Sequence, residues 1–275
     1  MMDDERKKKI FILGASGFIG NTLYKELCNY FDTYGTYCYP KKEYAENHQF
    51  YQYNVEEDDI YELLQSIKPN IIISAIRGNF TAQVLAHQHI TEYISHHNCK
   101  LIFLSSANVF DAYSKYPSYE TDKTLSLSIY GRLKIKIENM LLRLPKSKAT
   151  IVRLPMVFGN NSPRIIEIKE LLHQKEPIEV FPNLILNVTH ADKVVQQIHY
   201  IINQNKNGIF HLGSTDLVHH DEFIKELIKK IGLYNPVFKN VYTTNNDRYL
   251  AVLPKSNKLP KHLRTTYQDT LDHHL

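Results

Sequence analysis

No stretch of the chain is long and apolar enough to cross a bilayer; the longest apolar runs, such as Ile71–Ile76, fall far short of the roughly 20 residues a spanning helix needs. No membrane partner is expected. The charged opening Met1–Lys9 lacks an apolar stretch and does not read as a secretory signal. Cysteine is scarce. Cys28, Cys38 and Cys99 show no metal-ligand spacing, and an odd count gives no disulfide framework, which points to a reducing cytoplasm. Charge of one sign is not in excess: 33 Lys and Arg against 29 Asp and Glu leave +4, and no long basic block follows Lys7-Lys8-Lys9, so no nucleic-acid partner is expected. Tryptophan is absent, as are internal repeats and low-complexity segments. Histidine is plentiful at 14, but His96-His97, His219-His220 and His273-His274 are sequence neighbours that do not share a helix face. None has Cys or carboxylate partners at zinc spacing, so no metal is expected.

What is present is an ordinary globular composition, 43% apolar and 23% charged, over 275 residues. That length suits one large domain or a domain with a smaller lobe. Lys9–Leu13, Thr33–Tyr39, Gln49–Tyr53, Asn70–Ala75, Lys100–Ser105 and Thr150–Leu154 read as strands, several of them continuously apolar. Between them Phe18–Tyr30, Glu56–Ile67, Thr81–His97 and Leu127–Leu144 read as helices, and the acidic first turn of 56–67 suits the helix dipole. Apolar strands alternating with helices predict an α/β fold of Rossmann type, a doubly wound parallel sheet covered on both faces. The regularity weakens beyond Gly159, at the loop signal Asn160-Asn161-Ser162-Pro163. We expect a nucleotide-binding domain over 1–160 and a small substrate lobe over 161–275, interleaved because 187–213, with the helix Asp192–Asn203 and the strand Gly208–Leu212, returns to the core. Asp221–Ile231 is a later helix.

Gly14-Ala15-Ser16-Gly17-Phe18-Ile19-Gly20 lies between the first strand and the first helix. A dinucleotide needs this arrangement: one glycine for the sharp turn, one to let the backbone approach the pyrophosphate, one for close helix–strand packing. The helix N-terminus then faces the phosphates with N–H groups and a positive dipole. An acid at the end of the second strand usually holds the NAD ribose. Here that strand ends Cys38-Tyr39-Pro40-Lys41-Lys42, and the two lysines suit a 2′-phosphate, which favours NADP over NAD.

Tyr130-Gly131-Arg132-Leu133-Lys134 puts a phenol and an ammonium on one helix face. A phenol pKa near 10 is too high for proton exchange at neutral pH, and lowering it by about three units takes about 4 kcal/mol of differential stabilisation, which a nearby ammonium can supply. Ser105 and Ser106 end an apolar strand upstream, where a hydroxyl can hold the oxygen that Tyr130 protonates.

These motifs resemble the extended short-chain dehydrogenases. The G-x-x-G-x-x-G spacing makes Gly14, Gly17 and Gly20 the pyrophosphate contacts in that family, with Ser16, Phe18 and Ile19 beside them. Leu104–Asp111 resembles the Ser/Thr–Val-Phe-Asp stretch of dTDP-4-dehydrorhamnose reductases and is similar to the Ser-Ser-Ala stretch of sugar-nucleotide epimerases; Ser106, not Ser105, matches the catalytic hydroxyl. Tyr119-Glu120-Thr121-Asp122, Tyr130–Lys134 and Glu138 follow the reductase pattern. Arg153-Leu154-Pro155 with Val157-Phe158-Gly159 resembles the strand and turn beside the nicotinamide, and Leu253–Leu259 the C-terminal substrate motif. The resemblance implies coenzyme contacts also from Asn54, Val55, Ala75, Ile76, Arg77, Tyr130, Lys134 and Pro155, with Lys41 and Lys42 at the adenosine end. Three departures stand out. Ser74-Ala75-Ile76-Arg77 replaces Asn-Ala-Ala, Asn54 replaces an acid, and the asparagine of the catalytic helix has no clear match, with Gln83 and His87 as candidates.

The function implied is an NADP-dependent reductase, with NAD as the alternative coenzyme, acting on a keto-sugar nucleotide in the cytoplasm. Ser106, Tyr130 and Lys134 are the expected catalytic residues. A sugar-nucleotide epimerase or dehydratase is the alternative enzyme, and a non-catalytic NADP-binding regulatory subunit the alternative class. The resemblance also leaves a homodimer open.

Overall fold

Strands that are apolar on successive residues are stable only when both sheet faces are covered. The first six are β1 (Lys9–Leu13), β2 (Asp32–Tyr37), β3 (Phe50–Gln52), β4 (Ile71–Ser74), β5 (Lys100–Ser106) and β6 (Ala149–Leu154). β4 is buried on every residue, β1 on all but Lys9 and β5 on all but Ser106. Beyond them come β7 (Met156–Phe158), β8 (Ile178–Val180), β9 (Leu184–Leu186), β10 (Val188–His190), β11 (Gly208–His211), β12 (Val218–His219), β13 (Phe238–Asn240) and β14 (Arg248–Leu250). The computed structural model describes residues 7–232 and 236–273.

One sheet has seven strands in the order β11-β6-β5-β4-β1-β2-β3. β1 pairs in parallel with β2 and with β4, β2 with β3, and β4 with β5. The strand order reverses between β1 and β4. In open α/β sheets that reversal opens a crevice beyond the carboxyl ends of the strands, where ligands bind.

The chain divides into two compact units. The first comprises Met1–Leu104, Leu133–Val152 and His199–Gly208. It contains α1 (Phe18–Leu27), α2 (Lys42–Ala45), α3 (Ile60–Ile67) and α4 (Phe80–His96). Asp59 caps α3 by accepting from Tyr61 N, and Asn79 caps α4 by accepting from Thr81 N and Ala82 N. The acidic stretch Glu56–Asp58, expected inside a helix, lies in the turn before α3, because the aspartate that caps a helix stands outside it.

The second unit comprises Ser105–Arg132, Arg153–Ile198 and Ile209–Leu275. The helix α5 (Ile129–Leu141) begins in it, followed along the chain by α6 (Pro163–Gln174), α7 (Ala191–Asn203), α8 (His220–Lys230) and α9 (Tyr267–Asp272). Ser162 caps α6 with Pro163 in its first turn, and Thr266 with Asp269 forms a reciprocal capping box on α9. Its core gathers Phe158, Ile165, Val180, Leu186, Phe223 and Leu227. Each such side chain contributes about 1.5–3 kcal/mol by leaving water. No helix among the described residues is long and apolar enough to cross a membrane.

The C-terminal segment of the second unit is held by one carboxylate. Glu120, 4% exposed, accepts from the backbone N–H groups of Lys255 (2.9 Å), Ser256 (3.2 Å) and Asn257 (3.1 Å). Burial pushes its carboxyl pKa up, but the backbone donors outweigh burial and hold it below the usual range. A depressed carboxylate adds stability above its unfolded pKa and loses it as pH falls through the folded value. Glu120→Gln sets an amide NH₂ against those donors and should cost about 2–4 kcal/mol near neutral pH. Urea unfolding of both proteins from pH 7 to pH 3 tests this, and the gap should close as pH falls below about 4.

Candidate active site

The glycine turn lies at the strand-order reversal of the first unit. Gly14 has φ 77°, a left-handed conformation that favours glycine, and a Cβ on it would fall 2.8 Å from Ala75 O. A Cβ on Gly20 would fall 2.1 Å from Gly14 O. The fold itself therefore demands both glycines. Gly17 differs. Its backbone is extended, φ −79°, it is exposed, and its Cβ would meet only Gly14 O at 3.3 Å. Gly17 also caps α1 without any side-chain hydrogen bond. A position this lightly crowded, at a helix N-terminus with no side-chain cap, fits a pyrophosphate that needs the room. Gly14 N donates to Thr36 Oγ1 (2.8 Å) and Ser16 N to Thr36 O (3.2 Å), which pins the turn to β2.

Of the other expected coenzyme contacts of this unit, Ala75 and Ile76 lie against Gly14. Ala75 follows β4 beside Gly14, Ile76 is buried and Arg77 exposed. A Cβ on Gly78 would lie 2.9 Å from Val55 Cγ1, so the segment 54–55 runs alongside 76–78. Asn54 N donates to Asp58 Oδ2 (2.6 Å). Past β2 a cleft of about 720 Å³ is lined by Cys38, Tyr39, Tyr53 and Asn54 together with Glu57, Asp58, Asp59 and Glu62. Lys41 and Lys42 are exposed, and Lys42 lies 3.8 Å from Glu46. The run Glu56–Asp59 was read from the sequence only as the start of a helix, and Glu57–Asp59 line this cleft instead.

A buried polar group completes the first unit. Lys134, 6% exposed, donates from Nζ to Leu104 O (3.0 Å) and lies 4.8 Å from the centre of the Phe103 ring. Burial pushes its pKa down to about 8, Glu138 pulling it up and Arg77 pushing it down. His87 is fully buried, and burial holds its pKa at about 4. As a neutral ring it donates from Nδ1 to Gln83 O (2.6 Å) and accepts at Nε2 from Ser74 Oγ (2.9 Å). Gln83 donates to Gly78 O (2.8 Å). Both candidates for the missing helix asparagine are thus engaged, and His87 is the one bonded to the residue that replaces the Asn of Asn-Ala-Ala.

In the second unit Ser106 ends β5 and caps the short turn Ala107–Phe110. Its Oγ donates to Asn108 Oδ1 (2.9 Å) and accepts from Asn108 N (3.2 Å). Tyr130 is the second residue of α5 and is 42% exposed. A Cβ on Gly131 would fall 2.1 Å from Ser126 Oγ and 2.3 Å from Asn108 O. The start of α5 is therefore pressed against the turn that follows Ser106, which brings the Ser106 and Tyr130 segments together. Pro155 is buried and would lie 2.7 Å from a Cβ on Gly213. α5 carries Tyr130 and Lys134 one turn apart.

His190, Asp192 and His273 are metal-type side chains that come together among the described residues. The His190 and His273 rings stack with centres 3.8 Å apart and planes 18° from parallel. An ion binds in the plane of each imidazole, and two stacked planes do not share one, so the trio as it stands is not a coordination site.

The family model described as the RmlD substrate binding domain matches residues 8–265. The chain is similar to a dTDP-4-dehydrorhamnose reductase of Aggregatibacter actinomycetemcomitans, at 24% identity over 274 residues, 91% of this chain and 90% of that protein. It is also similar to methionine adenosyltransferase 2 subunit beta of Danio rerio, at 27% identity over 165 residues, 55% of this chain and 49% of that one. A solved structure of dTDP-4-dehydrorhamnose reductase from Bacillus anthracis, in complex with NADP, superposes with TM-score 0.75 at 20% identity, covering 97% of this chain and 98% of that one.

Gly17→Val and Gly20→Ala should therefore fail differently. Gly17→Val should unfold near the wild-type temperature yet lose NADP affinity by at least about tenfold, whereas Gly20→Ala should lose stability first, by roughly 1–3 kcal/mol of overpacking. Calorimetric NADP titration and thermal melting of both variants separate the two cases. A folded Gly17→Val with normal affinity removes the turn from the site.

Proposed function

The chain belongs to the RmlD substrate binding domain family, and on that premise we propose that it is an NADPH-dependent reductase that converts a ketone of a nucleotide-linked sugar into an alcohol. The observation that carries this reading is α5: an exposed phenol at Tyr130 and, one turn on, a buried lysine, Lys134. The reductase names of its relatives support the substrate class.

The residues present fit a dinucleotide. Gly17 leaves space at the uncapped start of α1, and Ala75–Arg77 and Asn54–Val55 flank it. When bound, the coenzyme supplies the hydride. Tyr130 gives the proton that the ketone oxygen takes up as its carbon is reduced, so the product is the neutral alcohol. Lys134 stabilises the phenolate left behind and holds the nicotinamide ribose. Ser106 turns its hydroxyl from Asn108 Oδ1 to the ketone oxygen and so orients it. The three free thiols fit a reducing cytoplasm.

A second reading, a regulatory subunit that binds NADP without turnover, is favoured by the similarity to an adenosyltransferase beta subunit. Turnover decides between them. With dTDP-4-dehydrorhamnose as ketone, Tyr130→Phe should lower kcat by about 10²–10⁴-fold while NADPH still binds. Ser106→Ala should cost less, and Lys134→Met should weaken both turnover and coenzyme affinity. A Tyr130→Phe protein with near-normal turnover would refute the assignment; a wild type without turnover favours the second reading.

The coenzyme preference should be real but modest. Lys41 and Lys42 attract a 2′-phosphate, yet both are exposed and the adjoining cleft is acidic. Exposed ion pairs are weak, so NADPH should bind more tightly than NADH by no more than about tenfold. Lys41→Ala/Lys42→Ala should erase that margin by weakening NADPH alone. Equal dissociation constants in the wild type would sink the idea.

A further inference from the structure

We infer that Asp111 is the positioning residue for Tyr130: its carboxylate fixes the start of α5 and with it the bearing of the phenol. This rests on the reading of Tyr130 as the proton donor. Asp111 closes the turn that begins at Ser106. Its Oδ1 accepts from Leu127 N (2.6 Å), and its Oδ2 accepts from Ser126 Oγ (2.9 Å) and Ser128 N (3.4 Å). The chain of bonds continues into the helix. Ser126 Oγ lies 3.1 Å from Ser128 Oγ, which in turn accepts from Gly131 N (3.0 Å), and Arg132 N donates to Ser128 O (3.0 Å). Ser128 is thus the N-terminal cap of α5, and Asp111 holds the capping segment from the side of the Ser106 turn. A negative charge at this end of the helix is also favoured by its dipole.

Tyr130 sits between the residues held. The cap fixes Ser128, the next bond fixes Gly131, and Gly131 has no room to move toward Asn108 O or Ser126 Oγ. The phenol's position is therefore set by backbone that Asp111 anchors. Leu125, Leu127 and Ile129 are exposed, so the segment has little apolar burial to hold it otherwise. An error of about 1 Å in a catalytic group costs on the order of 10²-fold in rate.

The test is a double-mutant cycle on the full chain, with NADPH oxidation by dTDP-4-dehydrorhamnose as the assay. Asp111→Ala should lower kcat by about 10²-fold with NADP affinity unchanged, and Asp111→Asn, which keeps one acceptor, should fall between. In the Tyr130→Phe background Asp111→Ala should cost nothing more, because a positioning residue has no effect once the group it positions is gone. Ser128→Ala, which breaks the same chain one bond later, reads the same quantity if Asp111→Ala does not fold. A normal kcat in Asp111→Ala, or a loss that multiplies that of Tyr130→Phe, overturns the inference and leaves the reductase reading intact. Near-normal turnover of Tyr130→Phe itself overturns that reading and this inference with it.

Discussion

The interior of the first unit holds a buried cation at Lys134, against which its neighbours are arranged. Moving an ammonium out of water costs several kcal/mol even after relaxation. The structure offsets that cost around Lys134 with the Leu104 carbonyl at 3.0 Å, the face of Phe103 and the Glu138 carboxylate. Burial pushes the ammonium's pKa down to about 8, and the Glu138 carboxylate opposes that fall. Burial holds the neighbouring His87 neutral, and Lys134 adds a smaller push in the same direction. With Nδ1 donating to a carbonyl, its Nε2 accepts, and Ser74 is left as the donor. Ser74, which stands where the family pattern has asparagine, is thereby paired with His87 of α4.

Backbone contact sets a second constraint. At Gly14, Gly20 and Gly131 any side chain would collide with main-chain atoms. At those positions the sequence has no freedom, because the helix and the turn it packs on touch directly. Gly17 stands apart, since the one contact a Cβ would make there, Gly14 O at 3.3 Å, is tight but not a collision.

How much of this was legible in the sequence depends on the length of the pattern. The strands and helices of the first unit are four or more residues of continuous or periodic apolar character for the most part, and all but α2 were found, with ends displaced by at most a few residues; α2, four residues long, falls where no helix was expected. The helix expected from Glu56 begins at Ile60 because Asp59 caps it, and that shift turns acids read as helix stabilisers into the lining of a cleft. The strands β7–β10 and β12–β14 have two or three residues each, too few to show a period. Gly14–Gly20, Ser106, Tyr130 and Lys134 were legible because the motifs are local. The bonds that hold them were not. Glu120 meets Lys255 across 135 residues, and Lys134 meets Leu104 across 30. No spacing rule reports contacts of that kind.

The polar anchors of both units are alike in one respect. Lys134 is held by a main-chain carbonyl, while Asp111 and Glu120 take main-chain N–H groups, Asp111 adding one serine hydroxyl. Main-chain partners cannot swing away as side chains do, and the segments that carry them are fixed by the sheet and by helix starts. A charge bonded to backbone therefore transmits position. Replacing Asp111 or Glu120 therefore frees the main-chain segment that each one holds. Ser106 differs: its hydroxyl proton goes to the side chain of Asn108 rather than to backbone, a bond that can be exchanged without moving the main chain.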